Sequence, residues 1–215
     1  GEGELGKTYT LGKRDPLNFT LRSAEFTVSR VTIGTTVYAP KAGEKLLVLH
    51  YTVQNPQKQE ENLSWRSFKF TAVDSKDVNQ VFDSYVAREG TTESLDISLK
   101  PAQKIDVVVV WPVPAAGVIP KLIVERGGED AAPVLRYDLR GKVKPLSAPF
   151  ADPADASGST ALEEVPVKAG SYYPLKNFDL KLETVGFTTD PMNKKGPEGG
   201  KRYLVATIAI KNAIT

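Results

Sequence analysis

The 215-residue sequence has no cysteine, one histidine and one methionine. The missing cysteine excludes disulfides, thiolate zinc sites and cysteine nucleophiles. With His50 as the sole imidazole, multi-histidine metal centres are excluded, and so are histidine triads with a spare. Long apolar runs are lacking too. The densest, Val107 to Val110 closed by Trp111, is strand-sized, well short of the roughly 18–20 residues that span a bilayer as a helix. No excess of one charge is present: 28 Lys+Arg against 26 Asp+Glu leave a formal +2, which argues against nucleic acid as a partner. No Gly-x-Ser-x-Gly fingerprint occurs.

What is present is ordinary globular material, 40% hydrophobic and 25% charged. Short runs rich in Val, Ile and Thr alternate with turn formers drawn from 17 glycines and 15 prolines. No segment sustains a helical period, so the pattern predicts an all-β sandwich or barrel. Strands are expected over Asn18–Val28, Lys45–Gln54, Ser67–Val73, Val81–Ala87, Leu95–Leu99, Lys104–Val113, Lys121–Arg126 and Val134–Leu139. Alternation assigns their faces. Leu47, Leu49, Tyr51 and Val53 share one side and should face the core, whereas Leu46, Val48, His50 and Thr52 take the other. The unbroken Val107–Val110 run predicts a strand covered on both faces, and by phase Trp111 belongs to the core with Val107 and Val109.

From Lys144 onward the composition shifts to Pro, Ala, Ser and Gly, which predicts an extended tether. Beyond it the sequence resembles itself. Gly43-Glu44-Lys45-Leu46-Leu47-Val48-Leu49-His50-Tyr51-Thr52-Val53-Gln54-Asn55 matches the stretch Gly200 to Asn212, with Gly, Leu, Val and the closing Asn identical. Upstream, Asn18-Phe19-Thr20-Leu21 matches Asn177-Phe178-Asp179-Leu180, and Tyr9-Thr10-Leu11 matches Tyr173-Pro174-Leu175. Three blocks in one order imply duplication of a whole domain rather than a solenoid of short units. Three parts are therefore expected: an immunoglobulin-like sandwich over 6–143, a Pro/Ala/Ser-rich linker over 144–169, and the N-terminal part of a second copy over 170–215. The second copy stops near the counterpart of Pro56, so the native chain is expected to continue. The alternative is that another chain completes the open edge by strand addition, giving self-association. The start at Gly1-Glu2-Gly3, with Met192 the sole methionine, likewise suggests a removed leader or a fragment.

The block Gly43 to Asn55 resembles the long strand ending in Asn of the bacterial DUF4352 family. Further likenesses are Phe68-Lys69-Phe70-Thr71-Ala72-Val73-Asp74, a strand ending in an acidic turn, and Leu99-Lys100-Pro101-Ala102-Gln103, where the family has Leu-x-Pro-Gly-Glu. Val107–Trp111, Val113-Pro114 and Pro120-Lys121-Leu122-Ile123-Val124 follow in order. The resemblance spans about residues 6–126 and again 170–212. Departures are Ala102-Gln103 for Gly-Glu, Trp111 for the usual Phe, and Asp77 where a turn glycine is common. The resemblance implies an immunoglobulin-like antiparallel β-sandwich, related to a secreted mycobacterial immunogenic protein and exported or lipid-anchored. It brings no catalytic residues.

Few residues present themselves as a site. His50 lies by phase on the outer face, and Thr207 stands at its repeat position, so a structural role is expected. Asp74, Asp77 and Asn79 space oxygen ligands as a calcium loop would. They lack the glycine and distal glutamate of an EF-hand and sit between two strands, where a turn is the simpler reading. Glu60-Glu61 and Glu163-Glu164 are adjacent and would point to opposite faces of a strand, unlike an acid/base pair. Trp65, Tyr38, Tyr172 and Tyr173 are the aromatics that could stack on a sugar. The expected function is a non-catalytic, cofactor-free interaction module, secreted, periplasmic or on the cell surface, that binds a protein or cell-envelope component. The alternative is a carbohydrate-binding module using exposed aromatics.

Overall fold

The computed structural model describes residues 1–81, 85–129 and 133–213. Part of the expected strand Val81–Ala87 and the last two residues of the expected second copy lie outside the described residues. Two compact units are present, Gly1–Glu164 and Val165–Thr215. In the first, the strands are β1 (Glu2–Gly3), β2 (Thr8–Leu11), β3 (Leu17–Thr27), β4 (Val31–Ile33), β5 (Thr36–Tyr38), β6 (Glu44–Gln54), β7 (Glu61–Ser64), β8 (Phe68–Val73) and β9 (Asn79–Val81). They continue with β10 (Tyr85–Arg88), β11 (Asp96–Leu99), β12 (Lys104–Pro114), β13 (Lys121–Arg126), β14 (Leu135–Asp138) and β15 (Val143–Lys144). The second unit holds β16 (Tyr172–Leu175), β17 (Phe178–Thr188) and β18 (Tyr203–Asn212).

The first unit is a two-layer β-sandwich. One sheet runs β10-β12-β6-β3-β15, with β2 also on β3; the other runs β1-β14-β13-β8-β9. Pairing is antiparallel except at β1–β14 and β15–β3. The long strands β6 and β12 pair from Lys104↔Gln54 to Pro114↔Glu44. Their inward residues Leu47, Leu49, Tyr51, Val53, Val107, Val109 and Trp111 join the main core with Phe19, Phe68, Phe70, Leu122 and Val124. Phe19 lies 5.1 Å from both the Tyr51 and Phe68 rings, and Phe70 lies 6.0 Å from Trp111.

The outer side of β6 and β12 is partly covered as well. There the β4–β5 hairpin brings Ile33, Val31 and Tyr38 onto Leu46, Val48, Val108 and Val110. The valine run is thus shielded on both faces, as its lack of alternation suggests. Further along that outer face His50 is half-buried between two carboxylates, Glu89 at 2.8 Å and Glu25 at 3.3 Å. Arg22 pairs with the same Glu89, and Lys144 with Glu25 at 3.3 Å.

The segment expected as a tether is not extended over most of its length. Residues up to Glu164 belong to the first unit, and Leu146 and Ala161 enter its core. The amide of Ala161 donates to the Ala115 carbonyl (2.9 Å), that of Gly117 to the Thr160 hydroxyl (3.0 Å), and that of Leu146 to the Gly158 carbonyl (3.0 Å). The physical reason is Lys45. Its side chain is fully buried, and its ammonium donates to the carbonyls of Ala115 (3.2 Å), Gly117 (2.5 Å) and Ser159 while lying 4.1 Å from the Phe26 ring centroid. A buried cation needs such partners, and the 115–117 turn supplies only two of the three. The domain therefore also extends beyond the expected 6–143 at its start, where β1 pairs with β14.

Candidate interaction surface

The second unit is one antiparallel sheet in the order β16-β17-β18. Cross-strand partners share a face, so the register fixes which side chains lie together. Leu175↔Phe178, Tyr173↔Leu180, Leu180↔Ile210, Leu182↔Ile208, Val185↔Ala206 and Phe187↔Leu204 place these residues on one side. The other side carries Tyr172↔Lys181, Pro174↔Asp179, Asp179↔Lys211, Thr184↔Thr207 and Thr188↔Tyr203. Between Leu182 and Thr184 a bulge at Glu183 keeps both halves of β17 apolar on the same side. One face is therefore apolar and the other polar, which is the arrangement of a sheet with one side toward a core.

That apolar face has no covering layer among the described residues. Phe187 is 59% exposed, Leu204 63% and Ile210 66%; Leu175, Phe178, Val185 and Ile208 are comparably open. No charged residue lies among its strand positions. Arg202 sits at one end, its guanidinium 3.9 Å from the Phe187 ring centroid. On the polar side the Glu183 carboxylate, 2.9 Å from the Lys181 ammonium, raises that amine above its ordinary pKa.

The sheet matches β2, β3 and β6 of the first unit in detail. Both trios pair in the same order, and both middle strands carry a register shift, between Leu21 and Ser23 and between Leu182 and Thr184. The Tyr9 hydroxyl accepts the Glu4 N–H (3.0 Å), and the Tyr173 hydroxyl accepts the Lys168 N–H (2.8 Å). Gly6 and Gly170, both at positive φ, donate to the carbonyls of Leu21 (2.7 Å) and Leu182 (2.8 Å). The last strands are preceded by turns at Gly43 and Gly200 with the same Glu44→Lys41 and Lys201→Glu198 backbone bonds.

The sequence alignment needs one correction. Phe19 pairs with Val53, and Leu180 pairs with Ile210, the position matching Val53. Leu180 therefore takes the place of Phe19, and Phe178 that of Leu17, two residues from the match read by identity. A shift of two preserves the face, which is why identity alone could not reveal it. In the first unit the corresponding positions Leu17, Phe19, Leu21, Leu47, Tyr51 and Val53 are fully buried beneath β8, β13 and β14.

The structure scatters the other sequence candidates rather than gathering them. Asp74 is buried in a turn, where its carboxylate accepts the N–H groups of Lys76 (2.8 Å) and Val78 (3.0 Å) and the Gln80 amide (3.1 Å). These bonds, that of Val78 foremost, hold its pKa below the usual carboxylate range. Asp77, in the left-handed conformation, faces the Lys121 ammonium at 2.8 Å, and Asn79 is exposed in β9. Among the described residues no group of three or more His, Asp or Glu is placed to hold a metal ion.

Trp65 is 41% exposed with the Arg66 guanidinium 4.5 Å from its ring centroid. Tyr38 stacks on Tyr85 at 3.9 Å, and burial together with a hydrogen bond to Tyr85 pushes its hydroxyl up to about 12. The Lys181 ammonium lies 5.0 Å from the Tyr172 ring centroid, and Tyr173 caps the Lys168 turn. The ring faces of Tyr38 and Tyr85 are thus turned on each other.

Two features escaped sequence reasoning. Lys45 reads as a polar strand-end residue and carried no signal of burial. An open groove of about 790 Å³ runs beside β1, β13 and β14, flanked by Lys121, Arg136, Arg140 and Lys142 and by Glu2, Glu4 and Asp138. Its mixed charges come from residues that no motif links.

No family model matches the sequence, and no curated protein does. Among solved structures it is similar to an uncharacterized β-sandwich protein from Clostridium difficile 630, at 18% identity over 64% of this chain and 93% of that one, TM-score 0.48. It is also similar to the yjhA protein from Bacillus subtilis, at 13% identity over 63% and 99%, TM-score 0.43. A third is the ycdA protein of Bacillus subtilis subsp. subtilis str. 168, described as a candidate lipoprotein, at 9% identity over 61% and 39%, TM-score 0.41.

Proposed function

We propose that the protein is a non-catalytic immunoglobulin-like interaction module of a bacterial surface or secreted fraction. Its described residues hold a β-sandwich and a second copy of that sandwich's β2/β3/β6 sheet. The observation that carries this reading is the uncovered apolar face of β16–β18. A contiguous patch of this kind on a hydrogen-bonded sheet is the usual mark of a protein contact. The matched bulges, tyrosine caps and glycine turns support descent of the two sheets from one unit, and the likeness to the DUF4352 family supports export. Sugar binding finds less support, because Tyr38 and Tyr85 cover one another and Trp65 carries Arg66.

The test places a photo-crosslinking benzoyl-phenylalanine at Phe187 and, as control, at Thr207 on the opposite face. The protein is irradiated alone and with a bacterial envelope fraction. A discrete protein adduct from position 187 and none from 207 is the expected result. No adduct from 187 under either condition overturns the reading, and glycan-array binding lost on Trp65→Ala replaces it with the sugar-binding one.

A further inference from the structure

We propose that the loop over residues 12–15, between β2 and β3, is a carboxylate-binding site. In this structure Glu129 of the same chain fills it, and an acidic side chain of a second polypeptide is the ligand that takes its place. The site lies in the first unit, so it stands whether or not the β16–β18 face makes a contact.

The backbone N–H groups of Lys13, Arg14 and Asp15 converge on one carboxylate. Lys13 donates to Glu129 Oε2 (2.7 Å), while Arg14 (3.2 Å) and Asp15 (3.1 Å) donate to Oε1. Successive N–H groups turned to one side form a concavity that favours anions, and donors divided between two oxygens fit a planar carboxylate. These bonds, that of Lys13 foremost, hold the Glu129 carboxyl below its ordinary pKa. Gly12 makes the room. A Cβ there would stand 3.2 Å from Glu129 Oε1 and 3.0 Å from the Asp15 carbonyl oxygen, on a backbone at φ 103°.

Groups other than Glu129 hold the loop in shape. Leu11 and Leu17 on either side belong to the core. The buried Arg126 donates from Nε to the Asp15 carbonyl (3.1 Å), from Nη1 to the Ser67 carbonyl (2.7 Å) and from Nη2 to the Glu61 carboxylate (3.2 Å). Its charge also acts favourably on the Glu129 carboxylate, and around the rim Lys13 and Arg14 outweigh Asp15.

The fold does not need this loop. In the second unit Lys176 and Asn177 alone close the matching strands, with Leu175↔Phe178 in the place of Leu11↔Leu17. The connection from Gly12 to Pro16 is therefore longer than the hairpin requires, and loops on a rigid scaffold are where binding groups are placed. Glu129, for its part, is a removable occupant. It follows Gly127-Gly128 in the turn after β13, and Gly128, at positive φ, has open space where a Cβ would stand. Among the described residues no side chain donates a hydrogen bond to its carboxylate. Lys13, Arg14 and Asp15 are exposed, so an incoming carboxylate reaches the same N–H groups from solvent.

The full chain, labelled with nitrogen-15, is titrated at neutral pH as wild type and as Glu129→Ala, following the amide signals of Lys13, Arg14 and Asp15. The probes are propionate, a capped tripeptide with a central glutamate, the same tripeptide with glutamine, and inorganic phosphate. In the variant the three signals should shift saturably with propionate and the glutamate peptide and stay still with the glutamine one. In wild type the tethered Glu129 competes at an effective concentration in the millimolar range or above, so half-saturation should need at least about tenfold more ligand. Should Glu129→Ala fail to fold, Glu129→Gln, a neutral occupant of the same shape, is read in the same way. Unmoved signals in a folded variant at about 100 mM propionate, beyond the range of even a weak site, overturn the proposal. Equal binding to wild type overturns it too, since the ligand then sits elsewhere. Phosphate binding more tightly than propionate overturns the carboxylate as ligand, and a response to propionate without one to the glutamate peptide overturns the polypeptide as its source.

Discussion

Replacing Lys45 with methionine keeps the length of the buried stem and removes only the ammonium. In the native protein that group donates to the carbonyls of Ala115, Gly117 and Ser159. Each hydrogen bond to a charged group contributes about 1.5–3 kcal/mol, and an orphaned buried carbonyl costs about 1–3 kcal/mol. Releasing the cation from burial returns several kcal/mol. The carbonyls stay behind, so we expect a net loss of about 2–4 kcal/mol. The loss should be concentrated where Ser159 is anchored: the 144–164 segment should become cleavable by protease while the rest of the sandwich stays resistant.

The pH dependence supplies a second readout. Burial pushes the Lys45 amine down to about 8 from 10.5, with the Asp155 carboxylate opposing that shift. Below pH 8 the amine is protonated in both folded and unfolded chains. Between about 8 and 10.5 the unfolded chain holds the proton and the folded one has released it, so stability rises with pH across this window. Other groups cancel when wild type is compared with Lys45→Met. Urea titrations at pH 7.5 and pH 10 should therefore show wild type gaining on the variant by up to about 3 kcal/mol. Equal stabilities at both pH values, with residues 144–164 still protected in the variant, would refute the account of Lys45 as the anchor.

Burial raises the Tyr51 and Tyr137 hydroxyls well above their ordinary pKa, and Tyr38 is pushed up to about 12. Their contribution is complete below pH 10 and is lost as pH rises through the folded-state values, so melting temperature should fall steeply between pH 10 and 12, less so in Tyr51→Phe; a flat profile would contradict this. Gly127→Ala would set a Cβ 1.8 Å from the Arg66 carbonyl oxygen. A loss of about 4 kcal/mol or failure to fold is expected, and a urea midpoint near wild type would show that this turn yields. Asn55 is fully buried; its amide donates to the carbonyls of Gln59 (2.8 Å) and Leu99 (2.9 Å), and its side-chain oxygen accepts the Gln57 N–H (2.9 Å). Asn55→Ala should cost about 2–4 kcal/mol by urea unfolding, a cost below about 1 kcal/mol being inconsistent with that network. Leu49→Ala and Phe68→Ala, on the two facing sheets, should each cost about 2–5 kcal/mol; near-neutral values would mean the faces are inverted.

Local pattern determined much of this protein. Alternation placed Leu47, Leu49, Tyr51 and Val53 in the core and His50 on the outer face, because the two-residue period of a strand is written directly in the chain. The continuous Val107–Val110 run announced a strand shielded on both sides. The likeness of residues 43–55 to 200–212 announced a second sheet, because each stretch forms one long strand led in by a turn at positive φ.

Tertiary structure decided the rest. Lys45 is held by carbonyls 70, 72 and 114 residues away, a spacing no local pattern records, and with it the sequence at 144–164 becomes part of the domain. The two-residue offset between Phe19 and its true counterpart Leu180 became visible only through cross-strand pairing, since a shift of two leaves every side chain on its own face. The two sheets have the same apolar alternation, yet Leu47 is buried and Leu204 is 63% exposed. A strand encodes which face is apolar, but burial requires a second layer, and within this chain only the first unit supplies one among the described residues.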